Sequence, residues 1–106
     1  VKLDVMIVNS SEILNQIEAD FRPEKIIMFG SRSKGVARPD SDIDLCVVIE
    51  TENKRRTATD LYYTVDCEVP IDFLLYTPRE WQQCIADNTS FAYKILQEGI
   101  VLYDRQ

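Results

Sequence analysis

Three aspartates and a glycine–serine pair are the residues that could do chemistry in this sequence. Asp42 and Asp44 are separated only by Ile43, at the head of a β-branched apolar run. Alternate side chains of a strand share a face, so the two carboxylates project side by side while Ile43 turns into the core. Neighbouring like charges repel, and a divalent cation is the simplest remedy. Mg²⁺ takes oxygen ligands, usually one or two carboxylates plus the phosphates of a substrate. Asp72 stands between Pro70, Ile71 and Phe73, Leu74, Leu75. A charge left unpaired in an apolar strand is costly, and a metal shared with Asp42 and Asp44 would supply its partner. Gly30-Ser31 closes another apolar run, where a backbone without a side chain, exposed N–H groups and a hydroxyl can grip a phosphate.

Charge placement points the same way. The chain of 106 residues has 18 acidic and 12 basic residues and a formal net charge of −6, yet Arg32, Lys34 and Arg38 lie between Gly30 and Pro39 with no acidic residue among them. A basic loop beside a carboxylate pair suits a nucleoside triphosphate: the loop holds the phosphate tail and the carboxylates hold the metal. Two metals held by three carboxylates could clamp the attacking and leaving oxygens of an in-line displacement. Taken singly, each piece has an ordinary reading as a turn, a solvated acidic pair, an edge strand or a charged loop. Their joint order is what points to nucleotide chemistry.

The sequence contains no histidine. That excludes nucleophiles activated by an imidazole base and histidine-bearing zinc sites. The acidic balance argues against non-specific grip on a nucleic-acid backbone, which needs a basic face. Cys46, Cys67 and Cys84 have no CxxC spacing, so reduced thiols in a cytoplasmic protein are expected. No apolar run approaches the length of a membrane span.

The elements that must position these residues are readable from their periodicity. Asn9-Ser10-Ser11-Glu12 reads as a helix cap, with Ile13, Leu14, Ile17 and Phe21 on one helical face and Pro23 as the stop. Strands are expected at 25–29, 43–49, 69–76 and 100–103. Ala58, Leu61, Tyr62 and Val65 have helical spacing, which predicts a helix over 52–65. Thr77-Pro78-Arg79-Glu80 is a capping box with proline in the first turn. Ser90 opens a last helix with Phe91, Ala92, Ile95 and Leu96 inward, and Gly99 ends it. Lys54-Arg55-Arg56 reads as a solvated helix face. Trp81, Tyr62, Tyr63 and Tyr103 read as core or rim residues, Trp81 also as a possible interface aromatic. Cys46 reads as a small core residue.

Phe29-Gly30-Ser31, ten residues, then Asp42-Ile43-Asp44 resembles the GS-x10-DxD signature of the minimal nucleotidyltransferases, the smallest members of the DNA polymerase β-like superfamily. The Asp72 strand and the terminal ILQEGIVLY are also similar to the family, so the resemblance covers nearly the whole chain. It implies an α+β fold: a mixed β-sheet flanked by helices, in a single domain over 1–106. It implies that Asp42, Asp44 and Asp72 bind one or two Mg²⁺, with Asp72 orienting or deprotonating the attacking hydroxyl. Gly30 and Ser31 would contact the triphosphate of ATP, with Arg32, Lys34 and Arg38 as helpers.

Relatives of this size often act with a separate helical HEPN-domain protein. In the similar MntA-type antitoxins, AMP is moved from ATP to a tyrosine of the HEPN toxin. The resemblance therefore implies a nucleotidyltransferase of the protein-adenylylating, antitoxin kind. A small-molecule nucleotidyltransferase of the aminoglycoside type, or a non-catalytic nucleotide- or partner-binding module, are the alternatives. The sequence offers no room for the acceptor-holding second domain of larger relatives, which suggests a protein acceptor or a partner subunit that builds half the site.

Overall fold

The structure, a computed structural model, describes residues 13–30, 42–65 and 70–105. Within them the chain forms α1 (Ile13–Phe21), β1 (Lys25–Phe29), β2 (Ile43–Val48), α2 (Lys54–Thr64), β3 (Ile71–Tyr76), α3 (Pro78–Ile85), α4 (Phe91–Glu98) and β4 (Ile100–Asp104). The element order follows the sequence reading, and the boundaries shift by one or two residues. Asn53 caps α2 by accepting from the Arg56 N–H at 3.1 Å, so that helix starts after residue 52. The expected cap at Asn9–Glu12 lies outside the described residues.

The four strands form one sheet in the order β3-β2-β1-β4. β1 runs antiparallel to β2 and β4, while β2 and β3 are parallel, with α2 as the crossover between them. This is the mixed α+β arrangement that the pattern of elements implies.

The strand sequences follow from their places in the sheet. β1 and β2 are central and covered on both faces, so both read as nearly continuous apolar runs. Alternate residues then serve two cores. Ile26, Met28, Ile43, Leu45, Val47, Ile71 and Leu75 face Ile13, Leu14 and Ile17 of α1 and Leu61 of α2. Ile27, Cys46 and Val48 face Trp81 of α3 and Ala92 and Ile95 of α4. Trp81 is buried with its ring 5.3 Å from that of Tyr76, so it is a core residue and not an interface one. Cys46 is fully buried, and burial pushes its thiol up to about 12. Cys46 and Cys84 are both free thiols. No helix among the described residues is long and apolar enough to cross a membrane.

The helix ends carry their own reasons. Thr77 accepts from the Glu80 N–H at 3.2 Å, and Glu80 Oε1 accepts from the Thr77 N–H at 2.9 Å, which completes the capping box. Lys54 meets Glu80 at 3.0 Å, so the exposed basic start of α2 is tied to α3. α1 stops where Arg22 turns left-handed at φ 50, just before Pro23.

Gly99 does end α4, but not by a left-handed conformation, since its φ is −79. A Cβ at Gly99 would lie 2.5 Å from Ile27 Cγ2 and 2.6 Å from the Ile95 carbonyl oxygen. Glycine is required there because the chain passes tightly over β1 on its way into β4. Gly99→Ala should therefore cost about 1–3 kcal/mol as an overpacking substitution. The check is the denaturant midpoint of the variant against wild type, read at unchanged slope.

Candidate active site

One end of the sheet collects the acidic residues. Asp44 is the second residue of β2 and is the sole polar side chain in that strand. In the parallel ladder it pairs with Asp72 of β3, and in the antiparallel ladder with Phe29 of β1. Register partners on neighbouring strands project from the same face, about 4.8 Å apart in the hydrogen-bonding direction. Asp72, Asp44 and Phe29 thus form one row across three strands. Asp42 lies just before β2, and its charge acts on Asp44, so it stands beside the row.

This row is electrostatically loaded. Partial burial raises the Asp44 carboxyl above the usual carboxylate range, and the charges of Asp72 and then Asp42 raise it further. Asp42 and Asp72 themselves are exposed. Of the two readings of Asp72, a costly charge inside an apolar strand or the exposed face of an edge strand, the structure has the second. β3 is an edge strand, its Asp72 faces solvent, and the cost of desolvation falls on Asp44 instead. The reason is topological: the crossover through α2 leaves β3 outermost and exposes the end of the strand that carries Asp72.

Gly30 follows β1 directly, at φ +79, a left-handed conformation that favours glycine. A Cβ at this position would sit 2.3 Å from Asp44 Oδ2. The glycine therefore makes room for the Asp44 carboxylate and brings the backbone to the acidic row. Ser31, Arg32, Lys34 and Arg38 lie outside the described residues.

The donor set is oxygen throughout, which fits a hard cation such as Mg²⁺ and not zinc. Among the described residues no three acidic or cysteine side chains already converge as a cage. A Mg²⁺ site asks for less, since one or two carboxylates suffice when substrate phosphates and water complete the shell.

Two neighbours of the row escaped the sequence reading. The Tyr62 hydroxyl on α2 accepts from the Phe73 N–H at 3.0 Å, and the two rings meet edge to face at 5.0 Å. That N–H lies on the free edge of β3, immediately after Asp72, so Tyr62 fixes the strand that carries the carboxylate. Phe91, at the start of α4, packs edge-on against Phe29 with ring centroids 5.7 Å apart. The helical spacing of Phe91 with Ala92 and Ile95 reads as core, yet Phe91 is 53% exposed. Its apolar neighbours in sequence concealed a position at the rim.

With the fold and this row in view, comparison with known proteins is informative. Residues 11–106 match the family described as Polymerase beta, Nucleotidyltransferase. The chain belongs to that family and is a nucleotidyltransferase by class.

Among solved structures it is similar to a toxin–antitoxin crystallised with AMP-PNP, with TM-score 0.67 and 19% identity over 92% of this chain and 75% of that one. It is also similar to a candidate nucleotidyltransferase from Sulfolobus solfataricus, with TM-score 0.66 and 17% identity over 97% of this chain and 86% of that one. No curated protein matches the sequence significantly.

The Asp44 shift has a defined consequence for stability. Its folded carboxyl ionises at a higher pH than the unfolded value of 3.8, so the folded state holds a proton that the unfolded state has released. Stability is fully present below that value and is lost as pH rises through the raised one. Asp44→Asn should therefore melt above wild type at pH 7 in metal-free buffer. The gap should close as pH falls toward the unfolded value. A melting series with pH reads this directly, and a variant that melts lower at neutral pH would contradict it.

Gly30→Ala should do the reverse, destabilising by about 1–2 kcal/mol through its left-handed backbone.

Proposed function

We propose that this protein transfers AMP from ATP to a hydroxyl on a partner protein, as an antitoxin that modifies its toxin. The observation that carries the reading is the Asp72–Asp44 register pair with Asp42 beside it and Gly30 against it, in a chain of the nucleotidyltransferase family. The similarity to a toxin–antitoxin crystallised with AMP-PNP supports both the nucleotide and the protein partner. We read the partner as a small helical HEPN-domain toxin and the acceptor as a tyrosine hydroxyl. Residues 1–106 act as a single minimal nucleotidyltransferase domain, in the cytoplasm, where free thiols such as Cys46 and Cys84 persist.

In this reading Asp42 and Asp44 hold Mg²⁺ together with the triphosphate, and Asp72 completes the site. When bound, the cation neutralises phosphate charge in the displacement. Asp72, exposed on the edge strand, orients the incoming hydroxyl and accepts its proton. The hydroxyl oxygen bonds to the α-phosphorus, the bond to the bridging oxygen of the β-phosphate breaks, and pyrophosphate leaves in line. Gly30 admits the phosphates to the backbone, and Ser31, Arg32, Lys34 and Arg38 grip the tail and neutralise it. Histidine is not needed, because carboxylates do the metal and proton work.

Incubation with ATP, Mg²⁺ and the helical partner, followed by mass spectrometry, tests this. The expected result is the added mass of AMP on the partner, lost with Asp42→Asn plus Asp44→Asn. Asp72→Asn should lower the rate by about 10²–10⁴-fold, the range for a positioned general base. Unmodified partner with wild type would overturn the reading. Turnover on an aminoglycoside without any partner would favour the small-molecule alternative.

A further inference from the structure

We infer that Tyr62 is a positioning residue for the reaction: its hydroxyl, on the open edge of β3, sets where the Asp72 carboxylate stands. This deepens the nucleotidyl-transfer reading above and rests on it.

Of the two register partners, Asp72 has the weaker backbone support. Asp44 lies on β2, which has β1 on one side and β3 on the other. Asp72 lies on β3, which has β2 as its one neighbour among the described strands. The outer side of an edge strand presents unpaired N–H and C=O groups, with no ladder to hold it. A group that must meet an incoming hydroxyl tolerates little such freedom, because a misplacement of about 1 Å can cost about 10²-fold in rate.

Tyr62 supplies the hold that the ladder lacks on that side. Its hydroxyl accepts from the Phe73 N–H at 3.0 Å. That N–H belongs to the peptide group that joins Asp72 to Phe73, and the same rigid plane contains the Asp72 Cα. The bond therefore acts on the atom from which the Asp72 side chain springs. The edge-to-face contact of the Tyr62 and Phe73 rings, with centroids 5.0 Å apart, is a second attachment at the same point.

The tyrosine is itself anchored. Leu61, the residue before it, is fully buried in the core beneath α2. Gln16 of α1 donates to the Thr64 carbonyl at 2.9 Å, which ties down the last turn of α2. From that turn a tyrosine carries its hydroxyl on a rigid ring with only two torsions to fix. Tyr63, the next residue, is 87% exposed and is the natural control.

Tyr62→Phe keeps the ring and removes the hydroxyl. On the full-length chain with ATP, Mg²⁺ and the helical partner, it should lower kcat for AMP transfer about tenfold and leave KM for ATP within twofold. Tyr63→Phe should change neither. Exchange of the Phe73 amide, followed by NMR without nucleotide, should quicken about tenfold in Tyr62→Phe, the order of one lost hydrogen bond. In an Asp72→Asn background, Tyr62→Phe should cost no further rate, since nothing remains for it to position. An equal fall in both backgrounds would overturn the inference, because Tyr62 would then act through the fold. Unchanged kcat or unchanged Phe73 exchange in Tyr62→Phe would overturn it and leave nucleotidyl transfer standing. Wild type that transfers no AMP would overturn this inference and the functional reading together.

Discussion

Like-charge repulsion at one end of the sheet is the constraint on which the rest of this structure depends. Asp44 and Asp72 are direct register partners in the parallel ladder, and Asp42 stands close enough for its charge to act on Asp44. The ladder fixes the backbone spacing of Asp44 and Asp72, so their side chains leave neighbouring positions on one face. Asp44 bears the consequence, because it alone of the three is partly buried. A positive partner would relieve the repulsion in such a row, and its oxygen-only donors would suit a hard cation.

The remainder of the molecule can be understood as what keeps that row rigid. β2 carries Asp44 through the centre of the sheet, with one apolar core on each face. Gly30 closes β1 beside the Asp44 carboxylate, in a left-handed conformation that favours glycine. Tyr62 reaches from α2 to the free edge of β3 beside Asp72. The two capped helices after β3 seal the second core and bring Phe91 to the rim on the opposite flank. Stability is concentrated in the apolar layers, and the candidate carboxylates stand together at one end of the sheet. That division is expected where a site is held by a scaffold that does not itself take part in the chemistry.

Much of this was legible in the sequence, and the exceptions have physical causes. The spacing of Asp42 and Asp44 announced a shared face because strand periodicity is local. The caps at Thr77 and Ser90 were legible for the same reason. The pairing of Asp44 with Asp72 was not, since register between distant strands is a tertiary property. The sequence leaves open whether Asp72 is buried or on an edge strand, because strand order is a tertiary property; the structure makes β3 an edge and puts the partial burial on Asp44. Gly30 read as a phosphate turn, and its steric relation to Asp44 emerged only across the ladder. Gly99 read as a helix terminator by conformation, whereas the structure requires it for close passage over Ile27. Phe91 followed the helical pattern of core residues, and only the packing of α4 on Phe29 put it at the surface.

The central claim is that the Asp42, Asp44 and Asp72 row is a cation-dependent nucleotide site. A crystal structure of the chain with Mn²⁺ and a non-hydrolysable ATP analogue tests it most directly, because Mn²⁺ marks itself by anomalous scattering. The account predicts an anomalous peak at the carboxylates of Asp42 and Asp44, with the triphosphate on the Gly30 side. A nucleotide bound elsewhere, or bound here with no cation touching those carboxylates, would contradict it.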